Sequence, residues 1–571
     1  KAQDKMEKML SLAIDPSEAM IQASRGRSAV QAEVVGLLSD GGEMSQKELA
    51  YMTGASDAIL RNMVRRGLLQ VGYAQQLRMP SDTEVDEIPS PVLSVQQQAA
   101  YTGIRELLYT QKPEAALLFG ITGSGKTQVY LKLIEDVLEQ GKDALMLVPE
   151  IGLTPQFVRL FMGRFGDTVA VLHSGLSAGE RYDSWKRIRA GCAHVIIGTR
   201  SAVFAPVRNL GLIVLDEEQD SAYQSEQSPR YHARDVAKRR VQQANALLLM
   251  GSATPSVETY YGGRQGKYPI FQLSERYHGV ALPEVTIDDL RGQTRFGWHY
   301  TIGRTLYQAI GRNLENQEQS ILFLNRRGNS RVIGCSICGW VPECPSCSTT
   351  MTYHSVNERA ICHFCGASMK MTGQCPQCHA AHLFTECAGT QKVEEELHTL
   401  FPAARVLRMD ADTTSRKNAH THLMEVFGAG RADILIGTQM VAKGLDFDRV
   451  TLVGVLDADQ SLFAQDYRAH ERTFSLITQV VGRAGRRDRQ GRAIIQTYHP
   501  EDSVLSCAAR QDYPQFYEME MERRQALLVP PIQQIVMLTA VSEQENLVIS
   551  ALLRLKERIL SLMQGQFSDF Q

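Results

Sequence analysis

The sequence predicts an α/β protein. Two doubly wound parallel-sheet lobes follow a small winged-helix module, and a cysteine-rich insertion interrupts the second lobe. Three observations carry this. Short apolar runs at ALLFG, ALMLVP, VAVLH, HVIIGT, LIVLDEE and LLLMGSAT alternate with helical stretches over about 93–285, the pattern of strands buried on both faces. A second such series, SILFLNRRG, ARVLRMD, DILIGTQ, VTLVGVLDAD and RAIIQTY, follows it. Eight of the eleven cysteines fall in four CxxC pairs between Cys335 and Cys378, the usage of a metal site in a chain with no visible secretion signal.

The chain has 571 residues, which at about 150 per domain suggests about four domains. It is 43% hydrophobic and 22% charged, which excludes a disordered chain, a collagen-like fibre and a small disulfide scaffold. No apolar run approaches the roughly 18 residues that span a bilayer, so no membrane partner is expected and the cytoplasm is the expected location. Net charge is −2, from 61 basic and 63 acidic side chains. That balance gives no global sign of a polyanion partner, so any such binding must be local.

Residues 1–85 read as the winged helix. In MSQKELAYMTGASDAILRNMVRRGLLQVG, Ser45 and Glu48 form a capping box. Gly54 allows the turn, Ser56 caps the second helix, and Gly67 ends it before the wing strand. Arg61, Arg65 and Arg66 lie on that second helix, either as a solvated face or as duplex contacts. The Pro-, Ser- and acid-rich stretch 79–91 reads as a linker.

Lobe 1 spans 86–285. Gly120-Ile121-Thr122-Gly123-Ser124-Gly125-Lys126-Thr127 fits GxxxxGK[ST], between an apolar strand and a helical run. Such a loop turns backbone N–H groups around phosphates at a helix N-terminus. Lys126 is expected on the β/γ-phosphates and Thr127 on Mg²⁺. Asp216 and Glu217 end a later strand, placed for Mg²⁺ and the attacking water. ATP and Mg²⁺ are therefore the expected cofactors.

Lobe 2 comprises 286–333 and 390–504. In its QVVGRAGR segment Arg483 and Arg486 are three residues apart, the spacing of one helix face, and suit an arginine-finger role. Residues 505–571 carry helical stretches and a Pro530-Pro531 break, without legible chemistry.

The insertion, 334–389, has the spacing C-x₂-C-x₅-C-x₂-C-x₁₄-C-x₂-C-x₉-C-x₂-C. Eight thiolates suit two closed Cys₄ zinc sites. Five residues between the first two pairs are few for a chain reversal. Fourteen between the inner pairs approach the zinc-ribbon spacing. The preferred solution is nested: Cys344, Cys347, Cys362 and Cys365 on one Zn²⁺, and Cys335, Cys338, Cys375 and Cys378 on the other. A crossed arrangement stays open. His363, His379 and His382 are expected to be bystanders.

The motifs GITGSGKT, VPEIGLTPQ, GTRSAVF, DEEQD, GSATP, LFLNRRG, GTQMVAKGLDF and QVVGRAGR stand in the order of superfamily 2 helicases, with two RecA-like lobes. With RYHARD and the nested cysteine block, the chain resembles the PriA family of bacterial primosomal replication-restart helicases over nearly its whole length. The resemblance implies an ATP-dependent 3′→5′ DNA helicase at stalled or repaired forks, which initiates primosome assembly. Its implied partners are forked and single-stranded DNA, primosome proteins, single-stranded DNA-binding protein and the replicative helicase loading machinery. Rival readings are a fork-binding scaffold with a dispensable ATPase, and another superfamily 2 nucleic-acid translocase. The resemblance also implies that Gln97 reads adenine and Asp446 lies near the ribose. YQSEQSPRYHARD, with Tyr223, Arg230, Tyr231 and Arg234, becomes an aromatic-rich DNA-coupling loop. Two departures stand out. Gln219 replaces the family's histidine in DEEHD. The chain is also expected to be a fragment, without the family's 3′-end-binding domain before Lys1 and with a partial C-terminal domain.

Overall fold

The structure is a computed structural model. It describes the chain except residues 1–5, 26–28, 76–85, 277–281, 325–332, 348, 355–356, 364, 385–388, 411–412, 415–418, 439–440, 442–446, 448, 486–489, 537, 539 and 566–571. Two compact units divide at Phe516/Tyr517.

The first unit opens with a three-stranded antiparallel sheet, β1 (Met6–Leu12), β2 (Glu43–Ser45) and β3 (Leu69–Gln75), in the order β2-β1-β3. Four helices pack on it, enclosing Leu10, Val34, Leu38, Leu49, Leu60 and Met63. The turn signals act as expected. The Ser45 hydroxyl accepts from the Glu48 N–H, Gly54 is left-handed at φ 67°, and Ser56 caps the helix Asp57–Arg65. Sequence periodicity missed the middle strand. β1 lies upstream of every helix and is stabilised as a strand by pairing with β3 along all seven residues.

Lobe 1 holds β4 (Glu114–Gly120), β5 (Asp143–Leu147), β6 (Val169–Leu172), β7 (Val195–Gly198), β8 (Leu210–Asp216), β9 (Leu247–Ser252) and β10 (Ile270–Leu273). They form one parallel sheet in the order β10-β4-β9-β8-β5-β7-β6. The six expected strands are all present. β10 is the addition, and its mixed burial explains why an apolar-run criterion passed over it.

Lobe 2 begins with β11 (Glu284–Asp289) and β12 (Gln319–Leu324). The insertion leaves after β12. It contains β13 (Gly334–Cys335) paired with β17 (Leu383–Phe384), and a small sheet of β14 (Thr352–His354), β15 (Arg359–Ile361) and β16 (Ser368–Lys370). The lobe resumes with β18 (Val406–Met409), β19 (Ile434–Gly437), β20 (Val450–Leu456) and β21 (Arg492–Thr497). Its sheet is parallel, in the order β11-β21-β20-β12-β19-β18.

Aromatic rings join the lobes. Tyr513 sits 5.3 Å from Phe119 and 5.1 Å from Tyr260 of lobe 1, and 5.8 Å from Phe474 of lobe 2. Its hydroxyl donates to the Pro255 carbonyl at 2.8 Å. In the second unit, Arg524 is fully buried and donates to Glu520 and to the Pro530 carbonyl, each at 2.9 Å.

Close packing also ties the sheet to the candidate site. The Tyr130 hydroxyl donates to Asp216 at 3.0 Å, and a Cβ at Gly251 on β9 would lie 1.7 Å from that hydroxyl. Gly251→Ala is therefore expected to displace Tyr130, lower stability by about 1–3 kcal/mol and reduce ATP hydrolysis. Tyr130→Phe loses only the hydrogen bond. Thermal unfolding and ATPase assays on both variants separate the steric effect from the polar one.

Candidate functional site

The phosphate loop leaves β4 and enters the helix Lys126–Glu139 through Gly125, which is left-handed at φ 77° and offers no side-chain cap. The helix therefore presents free N–H groups, the requirement for a phosphate cradle. Gly120 cannot be replaced without cost, since a Cβ there would lie 2.5 Å from the Ser124 hydroxyl oxygen. The hydroxyls of Thr122 and Ser124 are buried with no hydrogen-bond partner among the described residues. Lys126 Nζ donates to the Gly120 carbonyl at 2.9 Å. These features fit a triphosphate. Lys126 is available to exchange a loop carbonyl for phosphate oxygens.

Gln97 caps its own helix. Its side-chain oxygen accepts from the Ser94 N–H at 2.9 Å, and its amide donates to the Ser124 carbonyl at 2.9 Å. It is buried and braces the phosphate loop from behind. Both ends of its amide are therefore engaged by protein, an arrangement that the adenine-reading expectation did not include.

Asp216 and Glu217 stand at the end of β8. Burial and the neighbouring Glu217 charge push the Asp216 carboxyl up to about 6, against the opposing pull of Lys126. A divalent cation would supply the missing positive charge. Glu217 has a left-handed backbone at φ 48°, strain of the kind that collects at functional sites. Its carboxylate accepts from Gln219 at 2.7 Å and, from lobe 2, from Gln479 at 3.0 Å. Gln219 also accepts from Ser252 at 2.6 Å, and Thr254 meets Ser475 of lobe 2 at 2.7 Å. A polar chain thus runs from the acidic strand end through GSATP into the helix Ala469–Val481. Gln219 bonds within lobe 1, and Glu217 is reached directly from lobe 2 by Gln479, a residue inside QVVGRAGR that the arginine spacing overshadowed.

The arginine pair is visible in part. Arg483 is half-buried just beyond the helix Ala469–Val481. Its neighbour Gly482 faces the phosphate loop so closely that a Cβ would lie 2.7 Å from Thr122. Arg486 and Asp446 lie outside the described residues.

The expected DNA-coupling loop divides in two. Arg230 is exposed, and Tyr231 packs edge-on against the exposed Phe204 at 4.9 Å. Arg200 lies over the Tyr231 ring at 6.0 Å. Tyr223 and Arg234 point inward instead, which corrects their expected exposure. Tyr223 is fully buried, its hydroxyl donating to the Leu147 and Asp216 carbonyls at 2.9 and 2.7 Å. Arg234 pairs with the buried Glu218 at 3.1 Å and donates to Thr259 at 2.7 Å. Loop composition was legible, but side-chain direction depended on the carboxylate and carbonyls that tertiary packing brings near. Arg61, Arg65 and Arg66 are all exposed on the helix–turn–helix.

The cysteines group in the nested way. Cys335, Cys338, Cys375 and Cys378 form one cluster, and Cys344, Cys347, Cys362 and Cys365 the other, with sulfurs within 4.8 Å of one another. The sulfur separations Cys335–Cys378, Cys338–Cys375 and Cys344–Cys365 are 3.6, 3.6 and 3.5 Å. Tetrahedral zinc with Zn–S bonds of about 2.3 Å needs an edge of roughly 3.8 Å, so both sets fit the ion. The Ala380 N–H lowers the Cys378 thiol to about 7. Gly339, Gly366 and His379 follow the second cysteine of their pairs with φ of 81°, 77° and 60°. His379 is thus a turn residue, outside both ligand sets. Gln465 of lobe 2 holds the insertion by donating to the Thr350 and Ile361 carbonyls at 2.6 and 3.2 Å.

Two outcomes follow. Arg234→Ala leaves the Glu218 carboxylate buried and unpaired, and is expected to destabilise lobe 1 by about 3–5 kcal/mol, read as a lowered unfolding midpoint. Native mass spectrometry should find two zinc ions. Cys335→Ser/Cys375→Ser should lose one and Cys335→Ser/Cys362→Ser both, whereas a crossed pairing would reassign these losses.

Comparison with known proteins adds the family. Residues 94–261 match the DEAD/DEAH box helicase family, 379–488 the helicase conserved C-terminal domain, and 344–370 the PriA DNA helicase Cys-rich region domain. The chain is 44% identical to the replication restart protein PriA of Bacillus subtilis, over 91% of this chain and 65% of that protein. For the Synechocystis protein of that name the values are 42%, 89% and 62%, and for the Haemophilus influenzae one 40%, 90% and 70%. The chain thus spans 62–70% of the length of these relatives. At 40% identity over 90% of this chain and 70% of the Haemophilus influenzae protein, and with the PriA Cys-rich region matched at 344–370, the chain belongs to the PriA family of replication restart proteins.

Proposed function

We propose that this chain is the motor part of an ATP-dependent 3′→5′ DNA helicase that acts at stalled or repaired replication forks and initiates primosome assembly. The observation that carries the motor reading is the Glu217 carboxylate, held at once by Gln219 of lobe 1 and Gln479 of lobe 2. A group placed to orient water at a γ-phosphate is thereby tied to the relative position of the lobes. Mg²⁺-bound ATP would supply the phosphoryl group and the charge that draws the lobes together. Lys126 would bind the phosphates, Thr127 and Asp216 would hold the cation, Glu217 would orient water, and Arg483 with Arg486 would complete the site from lobe 2.

The DNA reading rests on local charge and rings. Arg230 and Tyr231, beside Phe204 and Arg200, offer cations and stacking faces for a single strand. Arg61, Arg65 and Arg66 suit a duplex phosphate backbone, in a helix–turn–helix that we assign as a DNA-binding winged helix. The two cysteine clusters would hold zinc and so order the insertion, which has few buried apolar residues of its own among those described. Family membership supports fork DNA, primosome proteins, single-stranded DNA-binding protein and the helicase-loading machinery as partners, in the cytoplasm.

Lys126→Ala is the deciding variant. DNA-stimulated ATP hydrolysis is expected to fall at least about a hundredfold, and unwinding of forked DNA with it. Full-rate unwinding by the variant would remove the motor reading and leave a fork-binding scaffold.

A further inference from the structure

The outer face of the helix Ala178–Ala190 belongs to none of the sites above. Arg181, Tyr182, Trp185, Lys186 and Arg189 recur along it at intervals of three and four, the spacing of one helical stripe. With Arg208, which precedes β8, they line a cavity of about 770 Å³. The two rings stand out of the surface, Tyr182 at 39% and Trp185 at 43% exposure. Lys186 lies 5.2 Å from the Tyr182 ring centroid. Among the described residues, no carboxylate pairs with Arg181, Arg189 or Arg208, and no carboxylate lines the cavity. In a chain of net charge −2, a concavity lined by cations and half-exposed rings is a local departure from the average surface.

A core role for this stripe is excluded by geometry. The inward side of the same helix is supplied by Asp183, Ser184, Arg187 and Ile188, all buried, and Arg187 donates to the Val169 carbonyl at 3.2 Å. Rings that stabilised the lobe would sit on that side. Their position beside Arg189 and Arg208, for which no carboxylate partner is found among the described residues, matches a strand that carries phosphates and stackable bases together. An acidic peptide would use the cations but leaves an indole without a stacking partner.

We infer that this face is a second single-stranded DNA contact on lobe 1, in which Trp185 stacks on a base and Arg189 and Arg208 take neighbouring phosphates. The inference rests on the DNA reading given above and extends it to a surface that no motif marks. A helix stripe from 178 to 189 spans roughly 16 Å, enough for about two or three nucleotides.

The test uses the full chain and fluorescein-labelled oligo-dT, with anisotropy titrations over a range of salt. Trp185→Ala is expected to weaken binding about tenfold, and Trp185→Phe to restore most of it. Arg189→Gln/Arg208→Gln should lower the slope of log affinity against log salt by about 1.4, the loss of two phosphate contacts. Unstimulated ATP hydrolysis and the unfolding midpoint should stay unchanged, since none of these side chains touches the phosphate loop or the buried side of the helix. Wild-type affinity and salt slope in all three variants would overturn the inference while leaving the motor intact. Displacement of the oligonucleotide by a capped octa-glutamate peptide, with loss of peptide binding in Arg189→Gln/Arg208→Gln and none in Trp185→Ala, would reassign the face to an acidic peptide and likewise overturn it. Failure of the unaltered protein to bind oligo-dT would overturn both this face and the DNA reading beneath it.

Discussion

Glu217 is a single carboxylate with obligations to two lobes. One oxygen accepts from Gln219, set by the strand end of lobe 1, and from Gln479, set by a helix of lobe 2. Its left-handed backbone holds the side chain in that position. Much else serves this point. β8 delivers Asp216 beside it, Tyr130 fixes Asp216 from the phosphate-loop helix, and Gly251 leaves the room that Tyr130 needs. Ser252 donates to Gln219, and Thr254 meets Ser475. The parallel sheets matter here because they bring segments distant in sequence to one edge.

The sequence disclosed what repeats locally. Buried strands announced themselves as apolar runs, the phosphate loop as a glycine pattern between strand and helix, and the zinc clusters as paired cysteines. The nested pairing followed from chain-reversal lengths, and the sulfur distances agree with it. β1, β10 and β11 were less legible because none is a continuous buried run, and each becomes a strand through a partner far along the chain.

Side-chain direction was the harder quantity. Tyr223, Arg230, Tyr231 and Arg234 lie within twelve residues of one loop, and composition treats them alike. Tertiary packing divides them: a buried Glu218 draws Arg234 inward and two backbone carbonyls draw the Tyr223 hydroxyl inward, while Arg230 stays in solvent. Gln479 shows the reverse. Its motif was recognised, yet attention to charge favoured the arginines over a neutral amide that makes the bridge.

Gln465 lies just ahead of the helix Ala469–Val481, and clamps two carbonyls of the zinc insertion. On that helix Gln479 donates to Glu217 at the acidic strand end of lobe 1, and Ser475 meets Thr254 beyond β9. The insertion and the Glu217 carboxylate are thus both held from one stretch of lobe 2. One cysteine turn also lies against the chain just past β21, where a Cβ at Gly339 would be 2.5 Å from the Tyr498 carbonyl oxygen. The two cysteine clusters and the Glu217 contact therefore share one support, the segment that runs from Gln465 into the helix carrying Gln479.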